Sequence, residues 1–282
     1  MTTIYLIALG FFLLLVLTAV VVYLRILRKR NIAKKYEFAS EVKILEKQKK
    51  RLSDINVRLS ELKAALELEQ EKSARLLSNI LPDRVICDLR DKGESTPERF
   101  ENVTVFFSDI VGFTEISSQV DPVDLIRELS CIFGEFDKIF SACKCERIKT
   151  VGDAYMAVAG MPVPDEHHYR NILLAALKAR DFLNERNQKQ DTVYKWQMRF
   201  GLHSGSVVGG IVGRDKYIYD IFGDTVNTAS RMEHASEAMK INVSETTYKL
   251  ACNEFDFTYR GVIETKGKGG MTMYFLNGEK VR

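Results

Sequence analysis

The sequence predicts an α+β domain that follows two helical segments of different character. Three features indicate this: an uncharged apolar run near the N-terminus, a stretch without Gly or Pro in which leucines recur every seven residues, and alternating strand and helix signals beyond residue 100. Of the 282 residues, 46% are hydrophobic and 28% are charged, which fits a globular domain carrying additional polar helix.

Residues 4–24 predict one membrane-spanning helix. The run is uncharged and about 31 Å long as a helix, which matches a bilayer core of about 30 Å. A cleaved signal peptide would have a basic start, a short apolar stretch and a small-residue cleavage site, and these are missing from the sequence. Residues 1–3 would form a short extracytoplasmic N-terminus. Residues 25–36 form a basic juxtamembrane segment that places the C-terminal part in the cytoplasm by the positive-inside rule. Its basic residues are Arg25, Arg28, Lys29, Arg30, Lys34 and Lys35.

Residues 37–81 predict a coiled coil that continues into a transducer helix. One seam position carries Leu45, Leu52, Leu59 and Leu66, and the second carries Ile55, Leu62 and Leu76. Three polar residues, Gln48, Glu69 and Ser73, interrupt the seam, so a solitary amphipathic helix is the alternative. We expect Pro82 to stop or kink the helix and residues 82–99 to form a linker to a domain at 100–282.

The domain at 100–282 alternates strand and helix signals. The pattern predicts a strand at 103–108, a helix at 122–141, a hairpin across 146–158, a helix at 167–186 and a strand at 198–203. The five cysteines of the chain should be reduced thiols in a cytosolic domain. The net charge of +3 comes largely from the juxtamembrane segment, so nucleic-acid binding is not indicated.

Two acidic residues stand at strand boundaries. Asp109 directly follows the first predicted strand, and Asp153 lies in a Gly-Asp turn inside the predicted hairpin. Alone, either would be a turn or capping residue. If the fold brings them together, their charges repel unless a cation neutralises them. Hard oxygen ligands suit Mg²⁺ or Mn²⁺ bound with a triphosphate.

Two further segments carry groups suited to phosphate. Asn227 and Arg231 are four residues apart in a predicted helix that begins near Asp224 or Thr225, both good N-cap types, so they share one helix face. A lone helical arginine is usually a surface ion pair, but the acids at 233 and 237 do not have the spacing for one. The basic Gly-rich segment 266–270 is either a phosphate-binding loop or a plain solvated turn.

These segments together resemble the catalytic domain of the class III adenylyl and guanylyl cyclases. The matching stretches are 103–113, 149–156, 220–233 and 266–270, and the resemblance runs from about residue 100 to residue 277. It implies a ferredoxin-like palm in which Asp109 and Asp153 are neighbours. It also implies two Mg²⁺ or Mn²⁺ ions per site, held by Asp109, Asp153 and the backbone carbonyl of Ile110, with Asn227 orienting the ribose and Arg231 contacting the transition state. Lys266 corresponds to the family's phosphate-binding lysine, and Lys268 is a nearby alternative.

Base preference depends on Lys149 and Asp220. Adenine offers an acceptor at N1 and a donor at its 6-amino group, which match a lysine that donates and an aspartate that accepts, whereas guanine would reverse both contacts. Relatives that make cyclic GMP usually carry Glu and Cys or Ser at these places. The pair therefore predicts ATP, and a cross-strand ion pair without a ligand is the alternative.

The resulting hypothesis is a membrane-anchored adenylyl cyclase that is active as a homodimer. In the family, one chain supplies Asp109 and Asp153, and the other supplies the groups that bind the base, ribose and phosphates. Because this chain has both sets, two equivalent sites under two-fold symmetry are expected. A guanylyl cyclase with unusual base contacts and a catalytically silent dimeric scaffold are the alternatives, and a membrane regulatory partner is left open.

Overall fold

A computed structural model describes residues 2–78, 80–189, 194–213 and 217–280, without the side chains of residues 2–6 and 8. The chain divides into two compact units, the first ending at Leu76 and the second beginning at Leu77.

The N-terminal part is one long helix, α1 (Thr2–Ser78). Among the described residues it is the one helix that is long and apolar enough to cross a membrane, by length and composition. Its heptad leucines at 45, 52, 59 and 66 are 60–63% exposed. An apolar face that the chain itself does not cover requires another environment or a partner to bury it.

The second unit is built on one sheet. Among the described residues, seven strands are hydrogen-bonded in the order β2-β3-β1-β4-β6-β8-β7, and β5 pairs with β4. The strands are β1 (Glu98–Ile110), β2 (Cys145–Val151), β3 (Ala154–Ala159), β4 (Met198–Val212), β5 (Ile218–Phe222), β6 (Ile241–Ser244), β7 (Phe255–Thr265) and β8 (Gly269–Glu279). The helices are α2 (Asp83–Lys92), α3 (Phe113–Gln119), α4 (Pro122–Ala142), α5 (His168–Gln188), α6 (Asp224–His234) and α7 (Glu245–Ala251). The α+β fold class is confirmed.

The sheet buries a different hydrophobic core on each face. The first core includes Phe106 and packs the sheet against α4, α5 and α7. The second core includes Val105 and Phe107 and packs the sheet against β5 and α6. Successive side chains of a strand point to opposite faces, so even-numbered residues of this part of β1 lie on the first core and odd-numbered ones on the second. By this alternation Asp109 belongs to the face of the second core.

A glycine brings α6 close to the sheet. A Cβ atom at Gly201 in β4 would lie 1.9 Å from the backbone nitrogen of Glu233, so only glycine permits this approach. Because β1 and β4 pair directly, with Asp109 opposite Arg199, the approach also places α6 beside the end of β1.

Several boundaries differ from those that the sequence predicts. The predicted strand at 103–108 is the inner part of the longer β1, and the one at 198–203 is the first part of the longer β4; the two strands pair with each other over most of their length. The expected linker contains α2, whose N-cap is Pro82 and whose C-cap is Gly93 in the left-handed conformation. The helices at 122–142 and 168–188 and the hairpin agree with the predictions to within a few residues.

Candidate active site

The fold brings Asp109 and Asp153 together. Residue Ser108 of β1 pairs with Tyr155 of β3, so the end of β1 lies beside the β2–β3 turn that carries Asp153. Burial, and next the negative charge of Asp109, raise the pKa of Asp153 to about 6, although the backbone N–H of Ile110 acts in the opposite direction. Burial is the larger cause and the like charge of Asp109 adds to it, so both disfavour the ionised form of Asp153. The donor set therefore fits a hard divalent cation.

Arg199, which the sequence did not single out, bridges two carboxylates at this place. Its Nη2 donates to Oδ2 of Asp109 and its Nε donates to Oε1 of Glu233, both at 2.9 Å. The side chain of Glu233 is only 3% exposed, and burial raises its pKa while His234 and Arg199 act to lower it. The guanidinium thus connects α6 to the end of β1. The sequence does carry a signal for Arg199, because it is a charged residue between the apolar residues Met198 and Phe200, both of which are buried. In a strand, this alternation places Arg199 on the opposite face from its two neighbours.

Lys149 and Asp220 form an ion pair between β2 and β5. The Lys149 side chain is 37% exposed and that of Asp220 is 14% exposed, while the other Asp220 oxygen accepts the N–H of Ile221 at 2.9 Å. This contact is the one expected from the alternative interpretation, a cross-strand ion pair that binds no ligand. It also brings one donor and one acceptor to the same place, as recognition of a purine edge requires.

Helix α6 carries the predicted phosphate and ribose groups and begins at Asp224, as the sequence predicts, but its N-cap residue differs from the prediction. Its N-cap is Gly223, without a side-chain capping bond, so the assignment of Asp224 or Thr225 as N-cap was wrong. Asp224 instead pairs with Lys268, and the Thr225 hydroxyl donates to the carbonyl of Ser206 at 2.6 Å. Both side chains are therefore engaged away from the first turn of the helix.

The two predicted groups on α6 face outward from the second core. Asn227 is exposed and Arg231 is half-buried, whereas Thr228, Ala229 and Met232 are buried against the sheet. Within the described ranges no salt bridge involves Arg231, so the surface ion-pair interpretation finds no support there.

The two lysines of the β7–β8 turn differ in their contacts. Lys268 pairs with Asp224 at the start of α6, whereas Lys266 is exposed and, in the described part of the chain, has no ion-pair partner. Gly267 and Gly269 both have positive φ, at 79° and 71°, which shapes the tight turn between them.

The predicted residues thus form separate groups in one chain. Asp109, Asp153 and Arg199 form one group, and Lys149 with Asp220 forms another. Over the described residues no hydrogen bond or salt bridge joins the first group to Lys149, Arg231 or Lys266. No cluster of three or more His, Cys, Asp and Glu side chains suited to a metal occurs there either. A complete site would need groups from outside this set, such as a second chain and a nucleotide.

Comparison with known proteins assigns the family. The family model described as the adenylate and guanylate cyclase catalytic domain matches residues 95–278, and the chain belongs to this family. The predicted resemblance and the predicted palm fold are therefore confirmed.

Relatives of both substrate classes are similar to the chain. The guanylate cyclase soluble subunit beta-2 of Rattus norvegicus is 37% identical over 82% of this chain, which spans 33% of that relative's length. The guanylate cyclase domain of RhGC from Catenaria anguillulae, solved in complex with GTP, is 36% identical with a TM-score of 0.62, covering 65% of this chain and 100% of that one. The adenylyl cyclase CyaB from P. aeruginosa is 29% identical with a TM-score of 0.60, covering 66% and 98%. The chain carries a class III nucleotide cyclase catalytic domain, and its family includes enzymes named for either nucleotide.

Proposed function

We propose that this protein is an adenylyl cyclase that converts ATP to cyclic AMP and pyrophosphate. The observation that carries the proposal is the ion pair of Lys149 with Asp220. A lysine donor and a carboxylate acceptor at one place match N1 and the 6-amino group of adenine, and they mismatch the N1–H and O6 of guanine. Asp220 is largely buried, and leaving a buried polar group without a hydrogen-bond partner is costly, so the pair discriminates between the two bases.

The metal-binding part of the site consists of Asp109, Asp153 and the Ile110 carbonyl. Two Mg²⁺ or Mn²⁺ ions bound there would activate the ribose 3′-hydroxyl and neutralise the triphosphate. Arg199 holds the Asp109 carboxylate in place through its 2.9 Å contact, and Glu233 holds the guanidinium from the other side. The Asp109 carboxylate is thereby oriented before any ligand arrives.

The remaining groups bind the nucleotide. Arg231 has a planar, permanently charged fork that suits the oxygens of the reacting phosphate, and Asn227 can orient the ribose from the same helix face. We assign phosphate binding to Lys266 because Lys268 is engaged by Asp224. This interpretation selects between the two lysines that the sequence left open.

We infer that the active species is a homodimer. Among the described residues, no hydrogen bond or ion pair joins the groups assigned to metal with those assigned to base and phosphate, and a two-fold interface would bring the two sets together twice. The exposed heptad leucines of α1 supply a surface through which two chains can associate. The apolar run at 4–24 would anchor this dimer in the cell membrane as a single pass, with the catalytic domain in the cytoplasm.

A guanylyl cyclase is the second candidate, and the comparisons supply its support. The rat relative and the RhGC domain are both named guanylate cyclases. The two candidates differ in the base that the Lys149–Asp220 pair accepts.

The test is a double substitution at the pair. Lys149→Glu with Asp220→Cys should lower kcat/KM for ATP and raise the relative use of GTP, because both hydrogen-bonding roles change together. Lys138→Gln is the charge-matched control, since it lowers the net charge by one, as the double variant does, and Lys138 is an exposed lysine on α4 paired with Glu135. An ATP-to-GTP ratio that stays the same in the double variant would show that the pair does not read the base.

A further inference from the structure

Strand β2 contains one more residue than the strand that it pairs with. Cys145 lies opposite Ala159 and Arg147 opposite Ala157, but Lys149 lies opposite Met156, so Ile148 is the extra residue of a β-bulge. The far end of the hairpin is held by Val151 opposite Ala154, next to the Gly-Asp turn. Bulges bend a strand locally and re-aim the side chains that follow, and they are frequent next to active sites.

The bulge changes the face on which Lys149 lies. Before it, Cys145 is part of the first core and Arg147 pairs with Asp137 of α4 at 3.1 Å. Directly opposed residues of antiparallel strands share a face. In an unbroken register Lys149 would oppose Tyr155, whose ring is buried in the first core under the helices. With the bulge it opposes Met156, which belongs to the second core.

Lys149 thereby reaches the face that carries the other functional groups. Asp109 lies on this face by the alternation along β1, and Asp220 of β5 meets the Lys149 ammonium there. The residue after Lys149 returns to the helix side, because Thr150 lines a surface depression with Phe133 and Gly134 of α4. The bulge thus exchanges the faces of the three strand residues after Ile148, and Lys149 is the charged one among them.

The side chain of the extra residue, Ile148, contacts the second core. It is half-buried and packs on the second core, to which Tyr219 of β5 and Val226 of α6 also contribute. Strand β2 stands at the end of the strand order and, among the described strands, is hydrogen-bonded to β3 alone. An edge strand receives little restraint from its free side, so side-chain anchoring determines where its extra residue sits.

We propose that Ile148 is a positioning residue for base selection: by anchoring the bulge on the second core, it holds the Lys149 ammonium at Asp220 and so sets the preference between ATP and GTP. This inference rests on the proposed function of the Lys149–Asp220 pair. Ile148 itself has no polar group for the base, so its effect passes through Lys149.

The experiment compares kcat/KM for ATP and for GTP in four variants of the full chain. Ile148→Ala should reduce the ratio of kcat/KM for ATP to kcat/KM for GTP by on the order of tenfold, because the lysine is no longer held against Asp220. The ratio should approach that of Lys149→Ala. Ile148→Val keeps a β-branched apolar anchor and should preserve the ratio. Val158→Ala, in β3 and fully buried in the same second core, removes comparable packing and should lower both constants in parallel.

The outcomes separate this inference from the proposed function. Suppose that Lys149→Ala changes the ATP-to-GTP ratio. If Ile148→Ala then lowers kcat/KM equally for both nucleotides and leaves the ratio unchanged, the positioning role is overturned. If Lys149→Ala leaves the ratio unchanged, the proposed base recognition fails and the positioning role fails with it. If Ile148→Ala is too unstable to assay, Ile148→Thr tests the same anchor, because threonine keeps the β-branched shape but places a hydroxyl against the second core. A wild-type ratio in Ile148→Thr, with a changed ratio in Lys149→Ala, would overturn the proposal.

Discussion

The close approach of α6 to β4 predicts a strong effect of the substitution Gly201→Ala. The added Cβ would lie 1.9, 2.4 and 2.5 Å from backbone atoms of Met232 and Glu233, and Cβ atoms essentially never come within 3.0 Å of another atom. Backbone atoms in a helix cannot rotate away, so α6 must retreat by about 1 Å. Overpacking of this kind costs roughly 1–3 kcal/mol of the free energy of unfolding. Because α6 carries Asn227 and Arg231, a displacement of about 1 Å should also reduce the cyclase rate by on the order of 10²-fold.

Urea unfolding and the rate of cyclic nucleotide formation measure the two effects. Gly134→Ala is the matched control, since its Cβ meets no atom within 4 Å in the middle of α4. The control should leave stability unchanged or raise it by up to about 1 kcal/mol, as alanine does in a helix. A Gly201→Ala protein that unfolds at the wild-type urea concentration and reacts at the wild-type rate would refute the contact between α6 and β4.

Three further predictions concern the site and the core. Asp109→Ala or Asp153→Ala should abolish activity while the circular dichroism spectrum stays unchanged, because each removes a cation ligand, and near-normal turnover in either variant would rule out the metal role. Equal co-expression of Asp109→Ala with Arg231→Ala should restore about a quarter of wild-type activity, since half the dimers are mixed and each holds one intact site. If mixed dimers are shown to form and activity does not recover, both residues act in a site within one chain. Burial lowers the pKa of His203 to about 4, with Asp224 acting to raise it and Lys268 to lower it. The unfolded state therefore binds more protons between about pH 4 and 6.5, and stability should fall by about 2 kcal/mol from pH 7 to pH 5 through this group. His203→Gln should flatten that slope, and an equally steep slope would contradict the assignment.

Local signals in the sequence were sufficient for much of the site. The Gly-Asp turn identified the hairpin and the position of Asp153, because turn chemistry is encoded in adjacent residues. The spacing of Asn227 and Arg231 predicted their common helix and its approximate start. These features depend on residues that are near each other along the chain.

Features that depend on distant parts of the chain were not predictable in this way. The role of Arg199 requires the pairing of β1 with β4, which joins residues 90 positions apart. The N-cap of α6 was misassigned because the contacts of Asp224 with Lys268 and of Thr225 with Ser206 are tertiary. The bulge at Ile148 follows only when both ends of the hairpin are known, since it is the difference between two strand lengths.

Selection of adenine by the Lys149–Asp220 pair is the feature that separates the adenylyl from the guanylyl candidate. It is measured by supplying equal concentrations of ATP and GTP to the purified 282-residue chain, with Mg²⁺ and separately with Mn²⁺, and quantifying both cyclic nucleotides by mass spectrometry. If the pair selects adenine, cyclic AMP is the main product, with kcat/KM for ATP at least about 100-fold above that for GTP. Cyclic GMP as the main product with either metal would contradict it.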